Sequence, residues 1–375
     1  MVSTVLFAPT TRPEPQALVP EMYTEVRADE NPVAETSTST ESLIGAVETA
    51  DIVEKETTRA STTEKITLFP FPAEFSGQAA VAAAPPLQFP TEGVFAPINE
   101  RTRLAVVNIV CQRREGRKIH TTTGSGVIID PRGIVLTNAH VADLFLLEGE
   151  RKAGNPVCNI RTGNPAVVSY SAELLFIPRH WVEAFAPDPA DPEPRGTGEE
   201  DFALLRITEP TLAQTERSTT TFPFIPFDTA RGAVRAKDPV LVGGYPALAP
   251  SVSAIRSNLY LVSTLSTITE LFTLDGKNMD LITVAGNIAS AQGSSGGAVV
   301  NAEGNLVGIV VASSRALLSL ERELRALSLN HISRRIEVQT GKTLEAFLAE
   351  DIEIIATEFN ENDLPLLKKK LLSDF

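Results

Sequence analysis

Three short motifs, fixed in their order along the chain, constrain the fold of this sequence more than any other feature. A histidine ends the apolar run Leu136-Thr137-Asn138-Ala139-His140, and an aspartate opens the run Asp201 to Leu205. A serine then stands between glycines in Gly293-Ser294-Ser295-Gly296-Gly297. These three residue types act together on several unrelated folds, and each fold has its own chain order. The order histidine, aspartate, serine is the one that goes with two packed antiparallel β-barrels.

The chemistry of nucleophilic catalysis explains these residue types. A serine hydroxyl is a weak nucleophile until a base takes its proton, so Ser295 is the candidate nucleophile and His140 the candidate base. Asp201 is the candidate acid that orients the ring and stabilises its protonated form. Taken singly, each residue also has a structural explanation, as a glycine turn, a packed histidine or a strand-start aspartate. The conjunction favours the catalytic interpretation, because it alone predicts all three residues.

The remaining histidines are weaker candidates for the base. His120, His180 and His331 lack a neighbouring nucleophile motif, and surface or packing roles suit them better. No pair of histidines has the spacing of a zinc site. We therefore predict no metal and no cofactor.

The same motifs resemble those of the trypsin-like serine peptidases, and the HtrA/Deg-type branch most closely. The likeness rests on Thr123 to Asp130 running into Gly133 to His140, on Asp201 to Leu205 and on Gly293 to Gly308. It covers about residues 100 to 335. Only about forty residues follow Arg335, so the PDZ domain that this branch usually carries is not recognisable here.

The resemblance implies roles for residues around the nucleophile. The backbone N–H groups of Gly293 and Ser295 are expected to form the oxyanion hole. Ala289 is expected at the base of the S1 pocket, and Val310 and Val311 on the strand that pairs with the substrate backbone. Because Ala289 carries no charge, we expect small or medium aliphatic P1 residues rather than Lys or Arg.

Short apolar or alternating runs bounded by turn residues predict an all-β fold. The resemblance implies that it consists of two six-stranded chymotrypsin-like antiparallel β-barrels. The predicted strands are Leu104 to Cys111, Gly126 to Ile129, Ile134 to Thr137, Val167 to Phe176, Phe202 to Ile207, Val240 to Val242, Leu259 to Leu265, Leu281 to Val284, Ala298 to Val300 and Leu306 to Val311. The first barrel, over residues 89–215, would carry the histidine and aspartate. The second, over 216–335, would carry the serine, with the site in the cleft between them.

The two ends of the chain have a different composition. Residues 1–88 are rich in Thr, Ser, Glu, Pro and Ala, which predicts a disordered tail or stalk. Residues 336–375 are predicted to be a C-terminal helical segment, and Leu317 to Leu324 also has helical spacing. A helix over Thr343 to Glu358 is expected to pack on the second barrel. The basic end Leu366 to Leu372 favours a solvated helix end over a membrane anchor.

Charge and apolar content exclude some partners. The net charge of −14 argues against nucleic acid, and no apolar run is long enough for a membrane-spanning segment. Whether Cys111 and Cys158 pair stays open. Relatives in the HtrA branch usually work outside the cytoplasm, which slightly favours an extracytoplasmic location, with a cytoplasmic one left open.

These observations lead to one expected function and one alternative. We expect a serine endopeptidase that hydrolyses unfolded or loosely folded proteins through a Ser-His-Asp triad and an acyl-enzyme. The alternative is a latent or inactive protease-fold module that binds peptides, because Ala291-Gln292 stands where the HtrA branch usually has Asn-Pro. Protein or peptide substrates are the expected partners, and a homo-oligomer is left open.

Overall fold

The structure is a computed structural model, and it describes residues 92–185, 198–211, 221–229, 234–247, 259–274, 278–285, 293–313 and 324–372. The predicted tail at 1–88 lies outside the described residues, as does Ala289. Of the predicted helix Leu317 to Leu324, only Leu324 is described.

The first β-barrel closes through antiparallel pairs in the spatial order β1-β2-β3-β6-β5-β4. Its strands are β1 (Val106–Glu115), β2 (Lys118–Asp130), β3 (Ile134–Thr137), β4 (Val157–Thr162), β5 (Val167–Phe176) and β6 (Ala203–Pro210). A turn at Asp130 to Gly133 joins β2 to β3, and Gly133 takes a positive φ of 86° that favours glycine.

The second β-barrel closes in the order β10-β11-β12-β9-β8-β7. Its strands are β7 (Pro239–Gly244), β8 (Val262–Phe272), β9 (Leu281–Val284), β10 (Ala298–Val300), β11 (Leu306–Ser313) and β12 (Leu324–Ser328). All neighbouring strands are antiparallel. The two closed six-stranded barrels, with helices after them, confirm the predicted fold class.

Two strands were not predicted, β4 and β12. Strand β4 contains Asn159 and Arg161, and Arg161 is buried with its Nε donating to Oδ1 of Asn108 over 2.7 Å. A buried polar network therefore replaces the apolar alternation expected of a core strand. Strand β12 begins at Leu324, so the helical prediction for that residue is wrong. Short apolar runs fit either element until their partners are known.

A disulfide joins Cys111 to Cys158 across strands β1 and β4, where the two residues face each other in the antiparallel register. Both side chains are buried. The bond closes a stretch of 47 residues that contains β2, β3 and His140. The pairing left open by the sequence is thus decided by strand register.

Helices flank the barrels. They are α1 (Glu92–Ala105), α2 (Ala139–Ala142), which continues as a 3₁₀ helix (Asp143–Leu147), α3 (Arg179–Phe185), α4 (Leu329–Thr340), α5 (Leu344–Leu348), α6 (Ile352–Glu358) and α7 (Leu364–Leu372), with a π-helical turn (Phe359–Asp363) between the last two. Among the described residues, no helix combines the length and apolar character needed to cross a membrane.

The segment after α4 returns to the first barrel. The ring of Phe347 in α5 lies edge-on to Phe176 of β5, with centroids 5.9 Å apart. In α7, Lys368 pairs with Glu150 at 2.9 Å, just after the 3₁₀ helix. The prediction that Thr343 to Glu358 forms one helix on the second barrel is therefore wrong. The stretch divides into two helices because Asp351 caps a new one, and their apolar faces cover the first barrel.

Candidate active site

His140 lies just after β3, on the short helix α2 that leads towards β4 of the same barrel. Asp201 holds it at two points. The backbone N–H of His140 donates to Oδ1 of Asp201 over 3.0 Å, and Nδ1 of the ring lies 2.7 Å from Oδ2. One carboxylate thus fixes both the backbone and the ring of the histidine.

Asp201 is itself fixed by its surroundings, just before β6. Its carbonyl accepts a hydrogen bond from Nδ2 of Asn138 over 2.8 Å, and its N–H donates to the carbonyl of Gly198. Gly198 adopts a φ of 74°, which starts the turn that leads to the aspartate. The structure therefore brings together His140 and Asp201, two of the three predicted residues, within the first barrel.

Burial and charge act in opposite directions on His140. Burial alone lowers the pKa of its ring, but the charge of Asp201, the hydrogen bond to it and the charge of Asp143 leave the pKa raised above 6.5. Asp143 follows in the same helical stretch. Burial raises the pKa of its carboxyl to about 7, and its Oδ1 has no hydrogen-bond partner among the described residues.

Ser295 lies in the second barrel, in a loop whose shape depends on glycine. Gly293 and Gly296 adopt φ values of 89° and 83°, which side chains rarely tolerate. A Cβ at Gly296 would lie 2.0 Å from the carbonyl oxygen of Ser125, and one at Gly293 would lie 2.7 Å from that of Tyr245. The glycines on either side of the serine are therefore required by close backbone approach.

Ser125 of β2 joins this loop to the first barrel. Its N–H donates to the carbonyl of Ser295 over 2.7 Å, and its hydroxyl donates to the carbonyl of Gly293 over 2.7 Å. The same hydroxyl accepts from the N–H of Tyr245. Within the described residues, no backbone acceptor is bonded to the N–H of Gly293 or of Ser295. Both N–H groups therefore remain available for a ligand.

Residues 124–309 match the family model described as the trypsin-like peptidase domain. Over these residues the chain is similar to the trypsin-like peptidases. The match includes His140, Asp201 and Ser295, and it supports a serine peptidase. No curated protein matches the chain.

The predicted substrate-binding residues have different surroundings. Val310 has both backbone groups engaged, since its N–H donates to Gly297 and its carbonyl accepts from Gly296. Val311 follows at a bulge between β11 and β12. Both side chains are buried. Val310 therefore supports the serine loop, which leaves Val311 as the candidate for pairing with substrate, while Ala289 lies outside the described residues.

The other histidines of the chain have separate partners. His120 lies 2.7 Å from Glu115, and His180 is largely exposed, 3.9 Å from Glu200. His331 differs, because it is buried in α4 with its Nδ1 2.9 Å from Oδ1 of Asp280. No local pattern indicates this histidine–aspartate pair, since 51 residues separate its members.

Ser125 and Asn138 also support the site, although the sequence patterns did not predict their roles. Both lie within the motifs that carry the resemblance, and both are fully buried. Ser125 stands between Gly124 and Gly126, and Asn138 stands two residues before His140. A polar side chain at such a position indicates a supporting role. Asp143 had no comparable indication, because its role depends on burial.

Proposed function

We propose that the protein is a serine endopeptidase of the HtrA-like type that hydrolyses unfolded or loosely folded proteins. Ser295 would be the nucleophile, His140 the base and Asp201 the orienting acid. The observation that carries this proposal is the two-point contact by which Asp201 holds the backbone and the ring of His140. That contact fixes one tautomer, with Nδ1 protonated and Nε2 available as a base.

During acylation His140 would first accept a proton from the serine and then donate it to the leaving amine. His140 takes the proton of the Ser295 hydroxyl as Oγ attacks the scissile carbonyl carbon, and a tetrahedral oxyanion forms. The free N–H groups of Gly293 and Ser295 donate to that oxyanion. The C–N bond then breaks, and His140 returns the proton to the leaving amine. Water, activated by His140, hydrolyses the acyl-enzyme and regenerates the serine.

The electrostatic surroundings of His140 support this role. A developing imidazolium is stabilised by the Asp201 carboxylate, and the charge of Asp143 acts in the same direction. A raised pKa makes the ring a stronger base, which assists removal of a hydroxyl proton. It also sets the lower end of the pH range in which the ring is neutral and able to act.

The substrate class follows from the pairing surface and the pocket. A substrate that adds a strand beside Val311 must present extended backbone, which folded proteins seldom offer. The resemblance implies that the uncharged Ala289 lines the base of S1, where a buried P1 Lys or Arg would lack a counter-charge, so small or medium aliphatic residues are expected. A peptide library that peaked at Lys or Arg would reject this pocket assignment.

The nucleophile is tested by two neighbouring serines. Ser295→Ala should abolish labelling by a fluorophosphonate and lower casein hydrolysis by about a millionfold, with the fold intact. Ser294→Ala is the matched control, because the Ser294 hydroxyl is buried without a hydrogen-bond partner among the described residues. It should retain labelling and hydrolysis. Hydrolysis that survives Ser295→Ala would reject the proposal.

The alternative function has its own outcome in the same experiment. Unaltered protein that binds an extended peptide, yet neither reacts with the fluorophosphonate nor hydrolyses casein, would be a latent or inactive peptide-binding module. Labelling at Ser295 would reject that module, since it requires an activated hydroxyl.

A further inference from the structure

Two residues on one face of α4 reach across to the turn that presents Asp201. His331 and Arg335 are one helical turn apart, so their side chains lie next to each other. Nε2 of His331 lies 2.7 Å from the carbonyl oxygen of Glu199, and the guanidinium of Arg335 forms an ion pair with Glu200. Helix α4 thus contacts the two residues directly before Asp201.

Both ring nitrogens of His331 face acceptors. Nδ1 lies 2.9 Å from Oδ1 of Asp280, which also pairs with Arg334, while Oδ2 of Asp280 accepts from the N–H of Leu274. A backbone carbonyl cannot donate, so the contact with Glu199 requires an N–H at Nε2. The ring of His331 thus joins the carboxylate of Asp280 to the carbonyl of Glu199.

The geometry of the turn transmits any displacement to Asp201. The N–H of Asp201 donates to Gly198, and the N–H of Phe202 donates to Glu200, so residues 198–202 are tied into one unit. After Phe202 the chain enters β6, which is fixed between β3 and β5. A shift of the Glu199 carbonyl therefore moves Asp201 rather than the strand.

The start of α4 is anchored in the second barrel. The helix follows β12 directly, and the hydroxyl of its N-cap residue Ser328 donates to the carbonyl of Met279. Asp280 belongs to the same barrel and precedes β9. The contacts at Glu199 and Glu200 therefore run from the barrel that carries Ser295 to the barrel that carries His140 and Asp201.

We propose that His331 and Arg335 are positioning residues that hold the turn at Glu199 and Glu200 and thereby align Asp201 and His140 with Ser295. The inference rests on the proposed peptidase function for its kinetic part. Catalysis needs the reacting groups held to within fractions of an ångström, and a misplacement of about 1 Å costs about a hundredfold in rate. Loss of the contacts should therefore lower kcat and leave KM nearly unchanged.

The variants are chosen to separate positioning from folding. In His331→Gln the side-chain amide can donate to Glu199 or to Asp280 but not to both, so one contact is lost. Arg335→Gln removes the ion pair at a partly exposed site, and Arg335→Lys should restore it. Lys342→Gln is the control, because Lys342 pairs with Glu350 just beyond α4 and touches neither Glu199 nor Glu200.

Two measurements on the full chain read out the effect. The first is kcat and KM on an unfolded protein substrate, well below the melting temperature. We expect kcat to fall about tenfold to a hundredfold in His331→Gln and less in Arg335→Gln. The second is the downfield proton resonance of Nδ1–H in His140, identified by its loss in His140→Ala. This resonance depends on the contact with Asp201 and should shift in both variants but not in the control.

The outcomes are distinct. A changed resonance with a lower kcat, and rescue of both by Arg335→Lys, supports the proposal. A lower melting temperature with kcat and the resonance unchanged would overturn it, since the contacts would then serve stability alone. If the unaltered protein fails to react with a fluorophosphonate, the proposed function fails. The resonance still tests the positioning of Asp201 in that case.

Discussion

Two histidine–aspartate pairs among the described residues share one contact geometry and differ in their surroundings. Nδ1 of His140 lies 2.7 Å from Asp201, with side chains 22% and 11% exposed. Nδ1 of His331 lies 2.9 Å from Asp280, with side chains only 6% and 3% exposed. The first pair can meet a substrate, whereas the second has its outer nitrogen bonded to a carbonyl and its carboxylate bonded to Arg334. In the proposed function, accessibility rather than the pair itself distinguishes the reacting histidine from the supporting one.

The largest expected difference between the pairs appears when each aspartate becomes asparagine. Asp201→Asn should lower turnover by roughly 10⁴, because an asparagine favours the wrong tautomer of His140. Its melting temperature should change little, since the side chain keeps its size and most of its contacts. Steady-state kinetics and thermal unfolding measure the two effects. Unchanged turnover would mean that another acid orients His140.

The same substitution at the second pair should have the opposite pattern. Asp280→Asn leaves His331 and Arg334 without their shared counter-charge in a buried site. Breaking such a pair costs about 3 kcal/mol, which lowers the melting temperature by roughly 10 °C. Turnover should fall far less than in Asp201→Asn. A larger loss of turnover from Asp280→Asn than from Asp201→Asn would reverse the assignment of the two pairs.

The sequence predicted the first pair but not the second, and the reason is local context. His140 ends one apolar run and Asp201 opens another, in the chain order that goes with two packed antiparallel β-barrels. His331 sits in the first turn of a helix, and Asp280 lies 51 residues before it. Neither neighbourhood suggests the other residue. Their contact depends on how β12 and β9 pair, which no local pattern records.

The strands that were predicted and the missed strand β4 also differ in their local sequence context. Apolar runs such as Ile134–Thr137 and Leu281–Val284 were predicted with their bounds, because a fully buried strand is apolar throughout. Strand β4 was missed because it contains the buried Arg161, whose partner is Asn108 of β1. The packing of α5 to α7 on the first barrel was missed for a related reason. An amphipathic face indicates that a helix is buried, but not against which surface.

A smaller difference between the two pairs lies in the charges next to them. Arg334 accompanies Asp280, whereas a second carboxylate, Asp143, accompanies His140. Burial raises the pKa of Asp143 from 3.8 to about 7, so the folded protein retains this proton at pH values where the unfolded chain has lost it. Asp143 therefore costs stability as the pH rises from about 4 to about 7, and the cost is complete above that range.

Asp143→Asn should remove this cost and raise the melting temperature more at pH 8 than at pH 5. The matched variant Asp130→Asn should have the opposite sign at pH 8. Although burial alone would raise the pKa of Asp130, its contacts with Arg132 leave that pKa lowered, so its charge stabilises the folded state. Thermal unfolding of both variants at the two pH values measures the difference. Equal changes of melting temperature in the two variants would show that ionisation of Asp143 costs the folded state little stability.

The smallest expected effect is on the pH dependence of catalysis. The base must be neutral, so kcat/KM should rise with pH through the raised pKa of His140. The charge of Asp143 contributes to that raised pKa, and Asp143→Asn should therefore move the acidic limb of the profile to lower pH, by less than about one unit. Asp280→Asn should leave the limb in place, because its charge faces His331 instead. If Asp280→Asn moved the acidic limb and Asp143→Asn did not, the pH dependence of kcat/KM would arise from the His331–Asp280 pair rather than from the His140–Asp201 pair.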